Sequence, residues 1–425
     1  MAAKTNIGTS EIVDNLSRIC GLSHVSTEEE IFFAMGFCQS AKPEVIVYPG
    51  SPEEIQEIIR FAVDSGTAVI PVGGGTLLGQ VLTPSQQGIG ICLSRLNRIE
   101  EFEPDNLSII CEAGTLHEAI NSLVSSRNLQ LPVLPDFDRA TIGGGVATNF
   151  SSWKRYRFGA VGDYVLGLTF ISPTGEVVRT GGKTVKNVSG YDFTKLLGSS
   201  WGTMGIISSV TLKLMPLPEQ EIVLVRHFDR AEDALAESVK IMSVRPALSS
   251  CNLFVQKKDK DAESRTTLSL SLEGSREFLE SQLKVLQLTP EWDVANDAAT
   301  LAAARESHLI SRRIMKDGFF HTAIIDKREL QRAISAIRFL EKRHCLFDFD
   351  ISAGVLEFSA PGYPRNPAEE FVEEWRNSTR DLQSLVRDAL LPDELNPLLG
   401  RILPTIDPQR IMFRNNIFSR RYNLG

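Results

Sequence analysis

Three glycine-rich segments carry the clearest chemistry in this sequence: "PVGGGTLLGQ" (Pro71–Gln80), "PDFDRATIGGGVATN" (Pro135–Asn149) and "TGGKTVKNVSGYDFTKLLGSSWGTMGIISSVTLKL" (Thr180–Leu214). Glycine costs backbone entropy and adds nothing to a core. It is useful where the chain needs positive φ or where something approaches the backbone closely. Backbone N–H groups uncovered by side chains cradle anions, and phosphates are the common ligand. One such loop is unremarkable. Three within residues 71–214 point to one large anionic ligand.

Familiar nucleotide and hydrolase motifs do not account for these loops. A Rossmann GxGxxG fails, because the position after Gly73 and Gly75 that needs glycine is Leu78. "GGKT" mimics the end of a Walker A loop, but its earlier glycine would be Val177. "GSSWG" (Gly198–Gly202) matches GxSxG around Ser200. A nucleophile elbow needs a strand before it and a helix after it. Here helical "DFTKLL" comes first and the strand-like "GIISSVTLKL" follows.

The loops need elements to hold them. "VIVY" (Val45–Tyr48) is a short apolar strand. Ser51 as N-cap, Pro52 at the first helical position and Glu54 form a capping box. Ile55, Ile58, Ile59, Ala62 and Val63 then recur at helical spacing until Gly66. "AVIPV" (Ala68–Val72) is the strand that feeds the first glycine loop, and "IGICL" and "LSIICEAG" predict two more. Thr115 with Glu118 predicts a second capping box, opening a helix through Ser126. Leu166–Gly182 reads as a hairpin turning at Pro173–Gly175. A strand then ends in a proline-rich linker, which places a domain boundary near Pro216–Pro218. Beyond it, "EIVLVRHF", "TTLSLSLEG", "TAIID" and "GVLEFSA" predict antiparallel strands. "RAEDALAESVKIMS", "REFLESQLKVLQ" and "KRELQRAISAIRFLEKR" predict amphipathic helices, so this part is an α+β domain.

Bulk properties narrow the class. A chain of 425 residues is too long for one ordinary core and suggests two or three domains. A net charge of −8 argues against a general nucleic-acid binder. No apolar run is long enough for a transmembrane helix. The first twenty residues lack the apolar stretch of a secretory signal, so a cytoplasmic protein is expected. Cys20, Cys38, Cys92, Cys111, Cys251 and Cys345 are scattered and read as buried, reduced thiols. An iron–sulfur cluster needs clustered thiolates, so none is expected on this chain.

With these residues in view, the region from about Pro43 to Pro218 resembles the FAD domain of the vanillyl-alcohol oxidase / p-cresol methylhydroxylase family. It is most similar to the FAD subunits of bacterial glycolate oxidase and their D-lactate dehydrogenase relatives. "GGGTLLGQ" resembles the first pyrophosphate loop and "PDFDRATIGGGVATN" the second. "DYVLGLTFISPTGEVVRTGGKTVKNVSGYDFTKLLGSSWGTMGII" resembles the block that closes the domain. The resemblance implies a two-subdomain FAD-binding domain followed by an α+β substrate (cap) domain. The expected division is an N-terminal helical segment over 1–40, the FAD domain over 41–219, the cap over 220–400 and a closing segment over 401–425.

The resemblance also implies site residues. Gly73, Gly74, Gly75, Thr76 and Gln80 fall in the first loop; Pro135, Thr141, Ile142, Gly143, Gly144 and Thr148 in the second. Gly202, Gly205 and Ile206 fall at the adenine end. Some relatives bind FAD covalently through a histidine where this chain has Gly75, so noncovalent FAD is expected, with a bond from the second domain left open. "LAAARESHLI" (Leu301–Ile310) resembles a helix whose arginine meets the substrate carboxylate, which points to Arg305, although the usual Trp is Ala302. An arginine fork suits a carboxylate. His308 lies one turn further on and is the candidate base. Relatives acting on D-2-hydroxy acids often carry a pair of histidines on a metal. None of the six histidines here forms that cluster, and no metal is expected. Asp348 and Asp350 alternate on a strand; the pair offers two carboxylates to a cation, but a solvated strand edge is the preferred reading.

Two functions follow. The chain oxidises a small 2-hydroxy acid by hydride transfer to flavin N5 and passes electrons to a partner or quinone. Alternatively, it is an accessory FAD-binding subunit of a glycolate-oxidase-like complex. In both, the expected partners are an iron–sulfur protein and a second FAD-domain chain.

Overall fold

The structure, a computed structural model, describes residues 8–37, 42–78, 88–133, 138–182, 193–257, 264–295, 319–325, 333–343, 345–351, 354–360, 386–388, 405–409 and 411–412. The chain forms two compact units. The first comprises Met1–Ser152, Ala160–Leu217 and Glu394–Gly425; the second, Trp153–Gly159 and Pro218–Asp393. A short segment from within the expected FAD block, Trp153–Gly159, is grouped with the second unit, and the C-terminal residues are grouped with the first.

The first unit holds two sheets. One has the order β1-β2-β4-β3, with β1 Val25–Ser26, β2 Val45–Val47, β3 Val69–Val72 and β4 Ile89–Cys92. β2 and β3 both run parallel to β4. β2 and β4 are buried along their whole length, as parallel strands covered on both faces must be. Helix Pro52–Ser65 joins β2 to β3. Its cap is local and legible: Ser51 Oγ accepts the Glu54 N–H at 3.3 Å, while Glu54 Oε2 accepts the N–H of Gly50, 2.7 Å away. Gly66 ends the helix in the left-handed region. Ser51→Ala should lower stability by about 1 kcal/mol, read as a shift in urea midpoint with an unchanged slope.

The second sheet is antiparallel, with the order β5-β6-β10-β8-β9. Its strands are β5 Ile99–Glu103, β6 Ser108–Glu112, β8 Val165–Ile171, β9 Val177–Gly181 and β10 Ile206–Lys213; a small ribbon pairs β7 Leu129–Gln130 with β11 Met215–Pro216. β8 and β9 form the expected hairpin, closed by the Gly175 N–H on the Ser172 carbonyl at 2.9 Å. The second expected capping box does not form. The helix starts at His117, with Leu116 in the cap position and no side-chain cap bond. Thr115 is still in the turn after β6, where its hydroxyl donates to the Arg98 carbonyl at 3.3 Å.

The second unit is built on one sheet of eight strands, in the order β15-β12-β14-β13-β17-β18-β16-β19. These are β12 Gln220–Phe228, β13 Ser250–Lys257, β14 Ser264–Gly274, β15 Asp293–Ala295, β16 Phe319–Ile325, β17 Leu346–Asp350, β18 Val355–Ala360 and β19 Val386–Asp388. Leu268, Leu270 and Leu272 of β14 join Ala234 and Leu235 of helix Ala231–Ser243 and Ile337 and Leu340 of helix Ile334–Lys342 in one core. Period-two alternation sends Ser269, Ser271 and Glu273 to the other face, where they are also buried. Asp350 departs from the expected solvated edge. β17 lies between β13 and β18, so it is not an edge, and Asp350 is 8% exposed. Among the described residues no helix is long and apolar enough to cross a membrane.

Within this unit Lys154 reaches two facing carboxylates. Its Nζ lies 2.7 Å from Glu273 Oε2 and 3.0 Å from Glu221 Oε1. Glu221 and Glu273 are cross-strand partners on β12 and β14. Arg157 adds a donor to the Glu273 carbonyl at 2.6 Å. These bonds are the chemical reason that Trp153–Gly159 belongs to the second unit.

Candidate functional site

A cavity in the first unit gathers the glycine segments. β3 delivers Gly73, Gly74, Gly75 and Thr76 at its C-terminal end. The short helix Ile142–Thr148 brings Thr141, Gly143, Gly144 and Thr148. The turn before β10 brings Trp201, Gly202 and Gly205. The second segment is tied within itself and bonded to the third, and the third lies close against the start of the first. Thr141 Oγ1 accepts the Gly144 N–H at 3.3 Å, and Thr148 Oγ1 donates to the Gly144 carbonyl at 2.9 Å. Trp201 N–H donates to the Ala147 carbonyl at 2.9 Å. An added Cβ on Gly202 would stand 3.1 Å from Pro71 Cγ.

The glycines do not all do the same work. A Cβ on Gly74 would run into the Arg139 carbonyl, and one on Gly75 into the Met35 carbonyl. On Gly143 it would meet Ala113 Cβ at 2.6 Å. These three let one backbone segment pack on another. Gly144 differs: its added Cβ meets only Thr141 Oγ1, at 3.2 Å, and nothing else within 4 Å. It is the glycine of the second loop whose missing side chain leaves open cavity.

The donors are divided just as unevenly. Ile142 N–H is taken by the Thr115 carbonyl at 2.9 Å and Gly143 N–H by the Ala113 carbonyl at 2.8 Å. In the first loop the amides of Gly74, Gly75 and Thr76 meet no acceptor among the described residues. Backbone amides not taken up within the protein suit an anionic group. The cavity thus fits a pyrophosphate: donors without an acceptor among the described residues come from the first loop, and clearance comes from Gly144 in the second.

Most of the expected residues meet here, with exceptions. Ile142 and Ile206 are fully buried and are not among the lining residues. Ile206 pairs with Ile171 at the start of β10, and its neighbour Ile207 faces the cavity instead, because successive strand residues point to opposite sides. Gln80, Pro135, Arg305 and His308 lie outside the described residues. The structure adds lining residues that sequence reasoning missed, notably His117, Phe150, Trp201 and Met412. Trp201 lies in the third glycine-rich segment, beside the expected Gly202, but is not itself marked by the sequence pattern. His117 and Met412 carry no local pattern that marks them.

Burial holds Cys20, Cys111 and Cys345 protonated. The five described cysteines are free and buried. Burial pushes the Cys111 thiol up to about 12, as it does that of Cys20, where the Glu54 carboxylate adds to the effect. Burial likewise lifts Cys345 to about 11. Such thiols stay protonated and unreactive at neutral pH.

Residues 43–181 match the FAD binding domain family. This part of the chain is an FAD binding domain. The D-lactate dehydrogenase of Archaeoglobus fulgidus is 30% identical over 265 residues, 62% of this chain and 58% of that protein. The glycolate oxidase subunit GlcD of Bacillus subtilis is 31% identical over 198 residues, 46% of this chain and 42% of that protein. The matched region thus spans about half the length of these curated relatives. The 4-ethylphenol oxidase from Gulosibacter chungangensis superposes with a TM-score of 0.72, covering 95% of each chain at 16% identity. An alkyldihydroxyacetonephosphate synthase gives 0.69 over 97% of this chain and 86% of its own, at 15% identity. The fold is the one that the resemblance to the vanillyl-alcohol oxidase / p-cresol methylhydroxylase family implies, and the cofactor of the FAD binding domain is FAD.

Proposed function

We propose that the protein is an FAD-dependent oxidoreductase that oxidises a small 2-hydroxy acid of the glycolate or D-lactate class and passes the electrons to a partner or quinone. The observation that carries the reading is the cavity beside Gly144, with amide donors at Gly74, Gly75 and Thr76 that meet no acceptor among the described residues. The substrate class rests on the relatives named D-lactate dehydrogenase and glycolate oxidase subunit. Bound FAD supplies the two-electron acceptor that side chains lack. The chain's own residues bind and orient. Arg305 is assigned the substrate carboxylate, through its bidentate fork, and His308 the hydroxyl proton, both from sequence.

FAD is held without a covalent bond in this reading. Gly75 occupies the position of the tethering histidine, has φ +73° and packs against the Met35 carbonyl, so no side chain fits there. Acid precipitation should leave yellow flavin in the supernatant. Anaerobic addition of glycolate or D-lactate should then bleach the holoprotein near about 450 nm. Flavin retained in the pellet would refute the noncovalent state, and a spectrum unmoved by either acid would refute the substrate class.

A second reading, an accessory FAD subunit, is favoured by the relative whose own name is that of a subunit. The described cysteines stand apart, and among the described residues no group of three or more His, Cys, Asp and Glu could hold a metal. On this reading a pull-down from the source cells recovers a cysteine-rich iron–sulfur protein and a second FAD-domain chain, while the isolated protein leaves both acids unreacted.

A further inference from the structure

We infer that Asp407 is a positioning residue for the FAD cavity: its buried carboxylate holds a C-terminal turn against the outer edge of the strand that feeds the first glycine loop. The inference rests on the cavity being the FAD site.

Asp407 is 1% exposed. Its Oδ1 accepts the N–H of Ile411 and its Oδ2 the N–H of Met412, each at 3.0 Å. Hydrogen bonds to a carboxylate are roughly twice as strong as neutral ones, so this single side chain sets the shape of the turn. Oriented in this way, Ile411 turns its carbonyl to Val69, whose N–H donates to it at 3.0 Å. Val69 opens β3, the outermost strand of its sheet, where backbone donors on the outer side lack a neighbouring strand. Ile411 therefore caps the open edge just before the chain enters Gly73. Met412, next along, is 3% exposed and lines the cavity together with Val69, Ile70 and Val72. The path runs from carboxylate to turn to strand edge and cavity wall, all within the first unit.

The test uses the full chain freed of flavin. Affinity is read by titrating FAD against flavin fluorescence, and the Val69 bond by amide hydrogen exchange in the FAD-free protein. Asp407→Ala should weaken FAD binding by at least about tenfold and speed exchange at Val69. Met412→Ala should weaken binding while Val69 stays protected, because the turn is intact. Gly144→Val serves as the control for the cavity. If Gly144→Val loses FAD while Asp407→Ala binds it as the wild type does, the role of Asp407 is overturned and the cavity stands. If Asp407→Ala lowers only thermal stability, with unchanged affinity in the folded protein, the role is again overturned. Should Asp407→Ala not fold, Met412→Ala decides, and unchanged affinity there overturns the inference. If Gly144→Val itself keeps full affinity, the cavity is not the FAD site and the inference falls with it.

Discussion

Gly144→Val is expected to yield a folded protein that purifies without flavin. The added Cβ meets only the Thr141 hydroxyl, at 3.2 Å, so the protein itself has to yield only by a few tenths of an ångström at that one side chain. The two methyl groups beyond it enter the cavity, where the cofactor would have to yield. Overpacking of this kind costs up to about 3 kcal/mol, or roughly a hundredfold in Kd. Removing a helical glycine offsets any small strain in the protein itself, since glycine inside a helix is unfavourable by roughly 0.5–1 kcal/mol against alanine. The measurement pairs an FAD titration with a melting curve. A variant that keeps full FAD occupancy would show that Gly144 does not face the cofactor. Gly74→Ala makes the contrast: its methyl would collide with the Arg139 carbonyl, so the loss there is of folding rather than of binding.

Lys154→Met is expected to destabilise the second unit by about 3–5 kcal/mol, the range for breaking a buried ion pair on one side. Lys154, Glu221 and Glu273 have side chains only 9%, 11% and 2% exposed. Without the ammonium, two carboxylates face each other across β12 and β14, and like charges directly opposite in a sheet repel. Ser249 Oγ still donates to Glu273 Oε1 at 3.2 Å, but a hydroxyl carries no charge to set against a carboxylate. Urea unfolding of the variant should show the loss directly. Adding Glu221→Gln and Glu273→Gln to Lys154→Met should recover most of it, because the uncompensated charge is then gone. A Lys154→Met protein as stable as the wild type would mean that the carboxylates find other partners.

What the sequence could show depended on how far each interaction reaches along the chain. The Ser51 cap, the Gly66 stop and the Pro173–Gly175 hairpin close over a few residues, and their partners stand in one short window. The reversed order around Gly198–Gly202, helix Phe193–Leu197 before and β10 after, was legible for the same reason. The FAD binding domain was legible because its loops carry many residues at fixed spacing. Thr115 failed where Ser51 succeeded: its hydroxyl found the Arg98 carbonyl on another part of the chain, and no local pattern announces that choice.

By itself, then, the sequence determined the glycine loops, the local caps and turns, and the alternation that builds the sheets. Only the tertiary structure decided which glycine opens onto the cavity and which merely admit a neighbouring backbone. The reason is geometric: a missing Cβ has meaning only through the atom that would have met it, and for Gly74, Gly75 and Gly143 those atoms belong to Arg139, Met35 and Ala113. The same holds for Met412 and Asp407, whose turn is brought to β3 by the Val69–Ile411 bond, which spans most of the chain. It holds too for Asp350, whose burial follows from two flanking strands rather than from its own alternating pattern.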